Sequence, residues 1–352
     1  MGLGIAIAIN GSPDAELAQA ASVEVSERMG QATAYLLRFD LGIAAGDLPW
    51  LVDGRLDPGS ELSIFVPTDG ATECLVKGPV HAQNIHLKHG GGGSSVEVRG
   101  ADTAIVMDRA TQSVVWSNVK DSDAVQTILG NYGYTPDVET TAAMHLDAKH
   151  TLVQRESDLS FVRRLARRNG FQFWVTCDDK GVETAHFKRP ALGVSAAANL
   201  IINLDGSNVE KFDLDWDVER PTSMDGKQID LNTKTDMQVA VAQTPQVMLG
   251  SKGLSAITAD TRSVHLSAPA DDAGDLQARG EGAVIEADWF VRANCQTTLE
   301  KLGTVVHVHT LAEVKGAGSR HSGLYYVAAV KHTITPTEHR MDIELIRNAW
   351  NA

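Results

Sequence analysis

Apolar and polar residues alternate over short stretches along most of the chain. Ile5, Ile7 and Ile9 alternate with alanines, and Tyr35–Phe39, Glu61–Val66 and Ser95–Arg99 show the same period of two. That period puts one set of side chains on one sheet face. Short alternating runs between turns, such as Asp57-Pro58-Gly59, predict antiparallel strands of a sandwich or barrel. Gly78 opens a longer strand to about Leu87, followed by a loop at Gly90–Gly93.

At Asp121 the period changes. Val125, Ile128 and Leu129 fit a short helix capped by Ser122 or Asp123 and stopped by Gly130. A second helix is better marked. Ser157 is its N-cap, Leu159, Phe161, Val162, Leu165 and Ala166 form its apolar face, and Asn169-Gly170 ends it. Phe171–Val175 then resumes a strand. After Pro190 strands return at Leu200–Ile202 and from Val209 to Trp216. Residues 240–270 read as a linker, and Asp271–Trp289 carries a weaker helical pattern. Strands are expected at Val291–Thr298, Thr304–Thr310, Gly323–Thr335 and Met341–Arg347.

The fold class is therefore mainly β with an α+β insert: two similar antiparallel β-barrel domains plus a small α+β domain. The boundaries are residues 1–118 for the first barrel, 119–190 for the insert and 191–352 for the second barrel, with its linker and helix at about 240–290. The two β regions share spacings. Leu62–Ile64, Gly78 and Val96–Val98 match Val306–Val308, Gly323 and Ile343–Leu345, which suggests a duplicated barrel.

The chain has 352 residues and a formal net charge of −14, with 45 acidic against 31 basic residues. This balance argues against sequence-independent nucleic-acid binding. It suits a channel wall past which anionic cargo slides. The three cysteines, Cys74, Cys177 and Cys295, are widely spaced and lack a CxxC pair. They read as free thiols of a reducing compartment, with neither a disulfide framework nor a zinc knuckle. The short apolar N-terminus lacks a basic region, so a signal peptide is not expected, and no apolar run approaches a membrane span.

Chemical motifs are sparse. His89 with Gly90–Gly93 resembles an oxyanion-hole run, but no GxSxG elbow accompanies it. His307 and His309, two apart on an expected strand, would share one face and could hold zinc with His332 or Glu313, although nothing in the spacing demands it. Asp213, Asp215 and Asp217 alternate with Phe212, Leu214 and Trp216 as the charged outer row of a strand. Arg163, Arg164, Arg167 and Arg168 form the densest basic cluster, readable as a solvated helix face or as a subunit contact. No catalytic, cofactor-binding or metal residue is assigned, and no cofactor is expected.

Two segments carry a resemblance. Gln154, Glu156, Ser157, Asp158, Phe161, Leu165, Ala166 and Gly170 stand in the order of a stretch of phage late control protein D and VgrG-type hub proteins. Ser322–His332 with Ile346–Ala349 resembles the family's closing strands. Lys77–Val80, the helix near residues 123–130 and Tyr132-Gly133 fit the family order. The resemblance implies a homotrimeric baseplate hub whose two barrels per chain adapt a trimeric spike to a hexameric inner tube. Its partners would be itself, tube protein, baseplate wedge proteins and a separate spike, since the chain stops directly after the closing strand. It implies production in the cytoplasm and assembly into a phage-tail-like particle, with no enzymatic activity and no membrane insertion. The rival readings are a cell-wall hydrolase of a tail tip and a module that binds effector or cargo. A further expectation is a net negative inner wall.

Overall fold

The computed structural model describes residues 4–352 except 43–47, 69–70, 90–91, 149–150, 231–232, 259, 268–269 and 271. The first β region contributes β1 (Ala6–Ile9), β2 (Ser22–Arg28), β3 (Ala34–Asp40), β4 (Glu61–Thr68), β5 (Ala71–His86) and β6 (Ser95–Ala101). The insert holds α1 (Asp121–Asn131), α2 (Asp158–Arg168), β7 (Gln172–Cys177) and β8 (Glu183–Lys188). Next come β9 (Ala198–Ile201), β10 (Lys211–Trp216), β11 (Ser223–Ile229), β12 (Asp236–Val241) and α3 (Ala273–Ala287). The second β region is completed by β13 (Val291–Thr298), β14 (Leu311–Lys315), β15 (Gly323–Ile334) and β16 (His339–Arg347).

The two β regions have the same strand order. The first runs β2-β3-β6-β5-β4-β1 and the second β10-β13-β16-β15-β14-β9. Numbered by sequence within each half, both read 2-3-6-5-4-1. The halves differ at one end, where β1 pairs antiparallel with β4 but β9 pairs parallel with β14. Both long strands carry a bulge, at His81 in β5 and Ala328 in β15. Matching the bulges sets the repeat and moves the glycine markers: Gly78 corresponds to Tyr325, not to Gly323.

Two separate closed barrels are not found among the described residues. The halves are instead joined edge to edge, because Ala329–Ile334 of β15 pairs antiparallel with Val23–Arg28 of β2. The large sheet is therefore continuous across both halves. Each half keeps its own core. Val23, Val25, Leu37, Phe39, Val96 and Val98 pack in one, and Val330, Ile343, Leu345, Val291 and Ala293 in the other. Both cores lie on the same side of the sheet, as the period of two requires.

A third core fills the insert, where Phe161, Val162 and Leu165 of α2 pack with Ile128 and Leu129 of α1 and Phe173 of β7. Burying such side chains contributes about 1.5–3 kcal/mol each. The Ser157 hydroxyl accepts from the Ser160 N–H, and Gly170 follows the helix at φ +67°. The other helix starts one turn position early: Ser122 and Asp123 lie inside α1, and the Asp123 carboxylate accepts from the Lys120 N–H.

Two further expectations change. Residues 304–310 form no strand, and the neighbour Leu311–Lys315 takes that place, with His309 at φ +69°. The expected linker contains structure as well: Ser263–His265 adds a parallel strand to β11 on the edge away from β12, and α3 packs on β11 and β12.

Candidate functional site

The polar centre of the molecule lies at the seam where the insert meets both β halves. Glu27 sits on β2 after Val23 and Val25, on the core side of that strand. Its carboxylate faces His307 Nδ1 at 3.0 Å and His332 Nε2 at 3.3 Å, and accepts from the Val308 N–H at 3.1 Å. His307 Nε2 reaches Glu73 at 3.2 Å, and His332 Nδ1 lies 3.0 Å from His339 Nε2. Burial opposes a charge on His307, but the Glu27 carboxylate, with Glu73, outweighs it and raises the imidazole to about 10. Burial would likewise lift the Glu27 carboxyl, yet His307 and His332 hold it well below the usual carboxylate range. The seam thus contains a salt-bridged imidazolium.

His309 has a different environment. It stacks on Trp174 with ring centroids 3.9 Å apart, and Trp174 stacks in turn with His186 at 4.6 Å. Its Nδ1 meets the Tyr326 hydroxyl at 2.8 Å, and burial lowers it to about 3, so the ring is neutral. His307 and His309 therefore do not share a face as the expected strand would have required. Among the described residues no three His, Cys, Asp or Glu side chains gather as a metal would need.

The seam is closed by covalent and ionic contacts. Cys74 of β5 and Cys177 of β7 form a disulfide with Cα atoms 5.7 Å apart. This corrects the expectation of three free thiols, and only Cys295 is free, buried in the sheet. Lys77 reaches Glu183 at 3.2 Å and donates to the Gly181 carbonyl at 3.1 Å. A cavity of about 360 Å³ remains between these groups.

The four arginines of α2 have separate fates. Arg168 is bound inside the insert to Asp121, which also receives Asn169 Nδ2 at 2.7 Å and faces His145 at 2.9 Å. Despite burial, these partners hold Asp121 down at about 2. Arg164 donates to Glu156 at 2.6 Å and lies over the Phe161 ring. Arg163 is half-buried near Asp102 and Asp108. Arg167 is exposed and joins Arg163, Arg164 and Arg279 around an open hollow of about 580 Å³.

Asp213, Asp215 and Asp217 follow the outer side of β10, where Lys211 pairs with Asp213 at 2.5 Å. In the glycine loop, Gly90 and Gly91 lie outside the described residues. Sequence reasoning missed the Glu27 network. The available signal was a carboxylate at a core-facing position of an alternating strand; its partners are about 280 and 305 residues away.

A family model described as the Alg8 N-terminal domain matches residues 3–336. No curated protein matches. Among solved structures, the 43 kDa tail protein of prophage MuSo2 from Shewanella oneidensis is 14% identical, covering 98% of each chain with a TM-score of 0.68. A tail protein from Neisseria meningitidis MC58 is 12% identical, covering 98% of this chain and 96% of that one, with a TM-score of 0.68. The E. coli c3393 protein, a type VI secretion component, is 15% identical, covering 97% of this chain and 76% of its own, with a TM-score of 0.59. Among the described residues, no helix is long and apolar enough to cross a membrane.

Proposed function

The chain belongs to the Alg8 N-terminal domain family; from its fold, which is that of phage tail proteins, we propose that it is the structural hub of a contractile-tail or injection-system baseplate. It acts as a homotrimer that joins a hexameric inner tube to a separate trimeric spike, and it contacts baseplate wedge proteins. The observation that carries this reading is the repeated strand order of the two half-sheets. Two equivalent modules per chain let three chains present six similar units to a six-fold tube.

The reading is non-catalytic. The buried acids and imidazoles at the seam satisfy one another and tie three parts of the chain together, as a mechanical clasp would. The late control protein D and VgrG hubs supply the functional analogy for this reading. On this reading the outward-facing Arg164 and Arg167 dock an acidic partner of the baseplate.

Light scattering on the full chain, alone and with tube protein, tests the proposal. A mass of three 37.7 kDa chains, and retention of tube protein by that species, are expected. A chain that stays monomeric in both conditions refutes it. Reversing Arg164 and Arg167 to glutamate should leave the trimer intact and release a baseplate partner.

A further inference from the structure

The internal repeat leaves two edges without their counterparts. Inside the chain, Ala329–Ile334 of β15 pairs with Val23–Arg28 of β2. The strand equivalent to β15 is β5, and the strand equivalent to β2 is β10. Among the described residues, β10 pairs only with β13, on one side. The stretch of β5 beyond its bulge, Ala82–His86, pairs only with β6. Each half-junction is therefore present once and unfilled.

We propose that β5 of one copy pairs antiparallel with β10 of the next, reproducing between chains the junction that β15 and β2 make within one. The register follows from the repeat. Val327 corresponds to Val80 and Ala329 to Ala82, one residue after each bulge. Tracing β2, β3 and β6 against β10, β13 and β16 makes Val23 equivalent to Phe212 and Val25 to Leu214. Because His332 faces Val25 and Ile334 faces Val23 within the chain, Ile85 then faces Leu214 of the neighbour and Leu87 faces its Phe212. The same register sets His86 opposite Asp213, Asn84 opposite Asp215 and Gln83 opposite Trp216.

An independent observation agrees. Ile85, Leu87 and Trp216 are 45%, 61% and 51% exposed, among the large apolar residues left open to solvent. All three fall on the two edges brought together, and Ile85 and Leu87 land opposite apolar residues. Exposed apolar residues beside unpaired strand edges mark a surface that another strand covers. The occupant is a second copy, since only a copy of β10 repeats the sequence relation that β2 has to β15. The two edges differ, so the contact is head-to-tail, the class of contact that builds a ring when its rotation closes. The number of copies in that ring rests on the trimeric hub reading.

Cysteine trapping on the full chain tests the register. Ile85→Cys combined with Leu214→Cys should give disulfide-linked oligomers under mild oxidation, because directly opposed residues of antiparallel strands stand about 4.5–5.5 Å apart at Cα. Asn84→Cys with Leu214→Cys, which puts one cysteine on the opposite face, should give at least tenfold less. In parallel, Ile85→Lys with Leu87→Lys should weaken assembly at least tenfold without changing the circular dichroism spectrum. If the wild type assembles but Ile85→Cys with Leu214→Cys cross-links no better than Asn84→Cys with Leu214→Cys, this pairing is overturned and the hub reading stands. A wild-type chain that is monomeric, with and without tube protein, overturns both.

Discussion

Gly323 opens β15 at φ +130°, and a Cβ there would stand 2.8 Å from the Arg347 guanidinium. Arg347 cannot swing aside freely. It is fully buried and donates through Nε and Nη2 to the Leu249 carbonyl at 2.9 and 2.6 Å. Backbone strain and overpacking each cost about 1–3 kcal/mol, so Gly323→Val should lose about 3 kcal/mol in chemical denaturation. A loss below about 1 kcal/mol would mean that the arginine moves. The histidines of the seam set a second expectation. His307 is raised from 6.5 to about 10. Its stabilisation is complete below pH 6.5 and disappears as pH climbs through 10. His309 and His339 are lowered from 6.5 to about 3. They cost stability as pH falls below 6.5, and Glu27 adds to that loss below its ordinary carboxylate range. The melting temperature should therefore peak near pH 6.5. His307→Gln should flatten the alkaline limb and leave the acid limb sloping. An unchanged alkaline limb in that variant would remove the imidazolium from the account.

At the scale of elements, the Cys74–Cys177 link fastens β7 of the insert to β5 across a separation of 103 residues. Closing so long a loop in the unfolded chain is worth about 2–4 kcal/mol. Cys74→Ser with Cys177→Ser should lose about that much stability, and reductant should lower the melting temperature of the wild type but not of the variant. Equal sensitivity in both would show that the link is not formed. The sequence could not reveal this pair, because the proximity of β5 and β7 arises from how the insert docks and from nothing local to either cysteine. What was legible had a local cause. Val96 and Val98 alternate, Ser157 caps α2, Gly170 ends it, and Val291–Thr298 is a strand with the bounds its pattern gives. The failure at 304–310 is equally physical. Val306 and Val308 are buried as an alternating strand would bury them, but His309 turns at φ +69° and breaks the run. The candidate site was nearly illegible. His307 and His309 drew notice, but for a shared metal face that their opposite environments do not form.

For the whole molecule, the decisive geometry is that both cores lie on one side of a single sheet. The other side is a charged face without bulk. Six ion pairs lie along it: Glu24–Lys331, Arg28–Glu344, Arg38–Asp40, Glu97–Arg99, Lys211–Asp213 and Arg340–Asp342. If chains join through β5 and β10 into a ring, the cores must pack outside, because only the bare face fits the narrower inner circumference. The channel wall would then be a lattice of matched charges instead of the net negative surface that a total of −14 suggests. The excess acids belong to the outer parts of the chain. A wall of paired charges presents little net field to a passing polymer and holds it weakly whatever its sign. Asn294 stands exposed on this face, between Asp213 and Glu344. Asn294→Cys in the assembled ring should react with a small maleimide but resist one coupled to a folded protein, while a monomeric variant carrying Ile85→Lys and Leu87→Lys should react with both. Equal reaction of the assembled ring with both reagents would put this face on the outside and reverse the proposed orientation of the sheet.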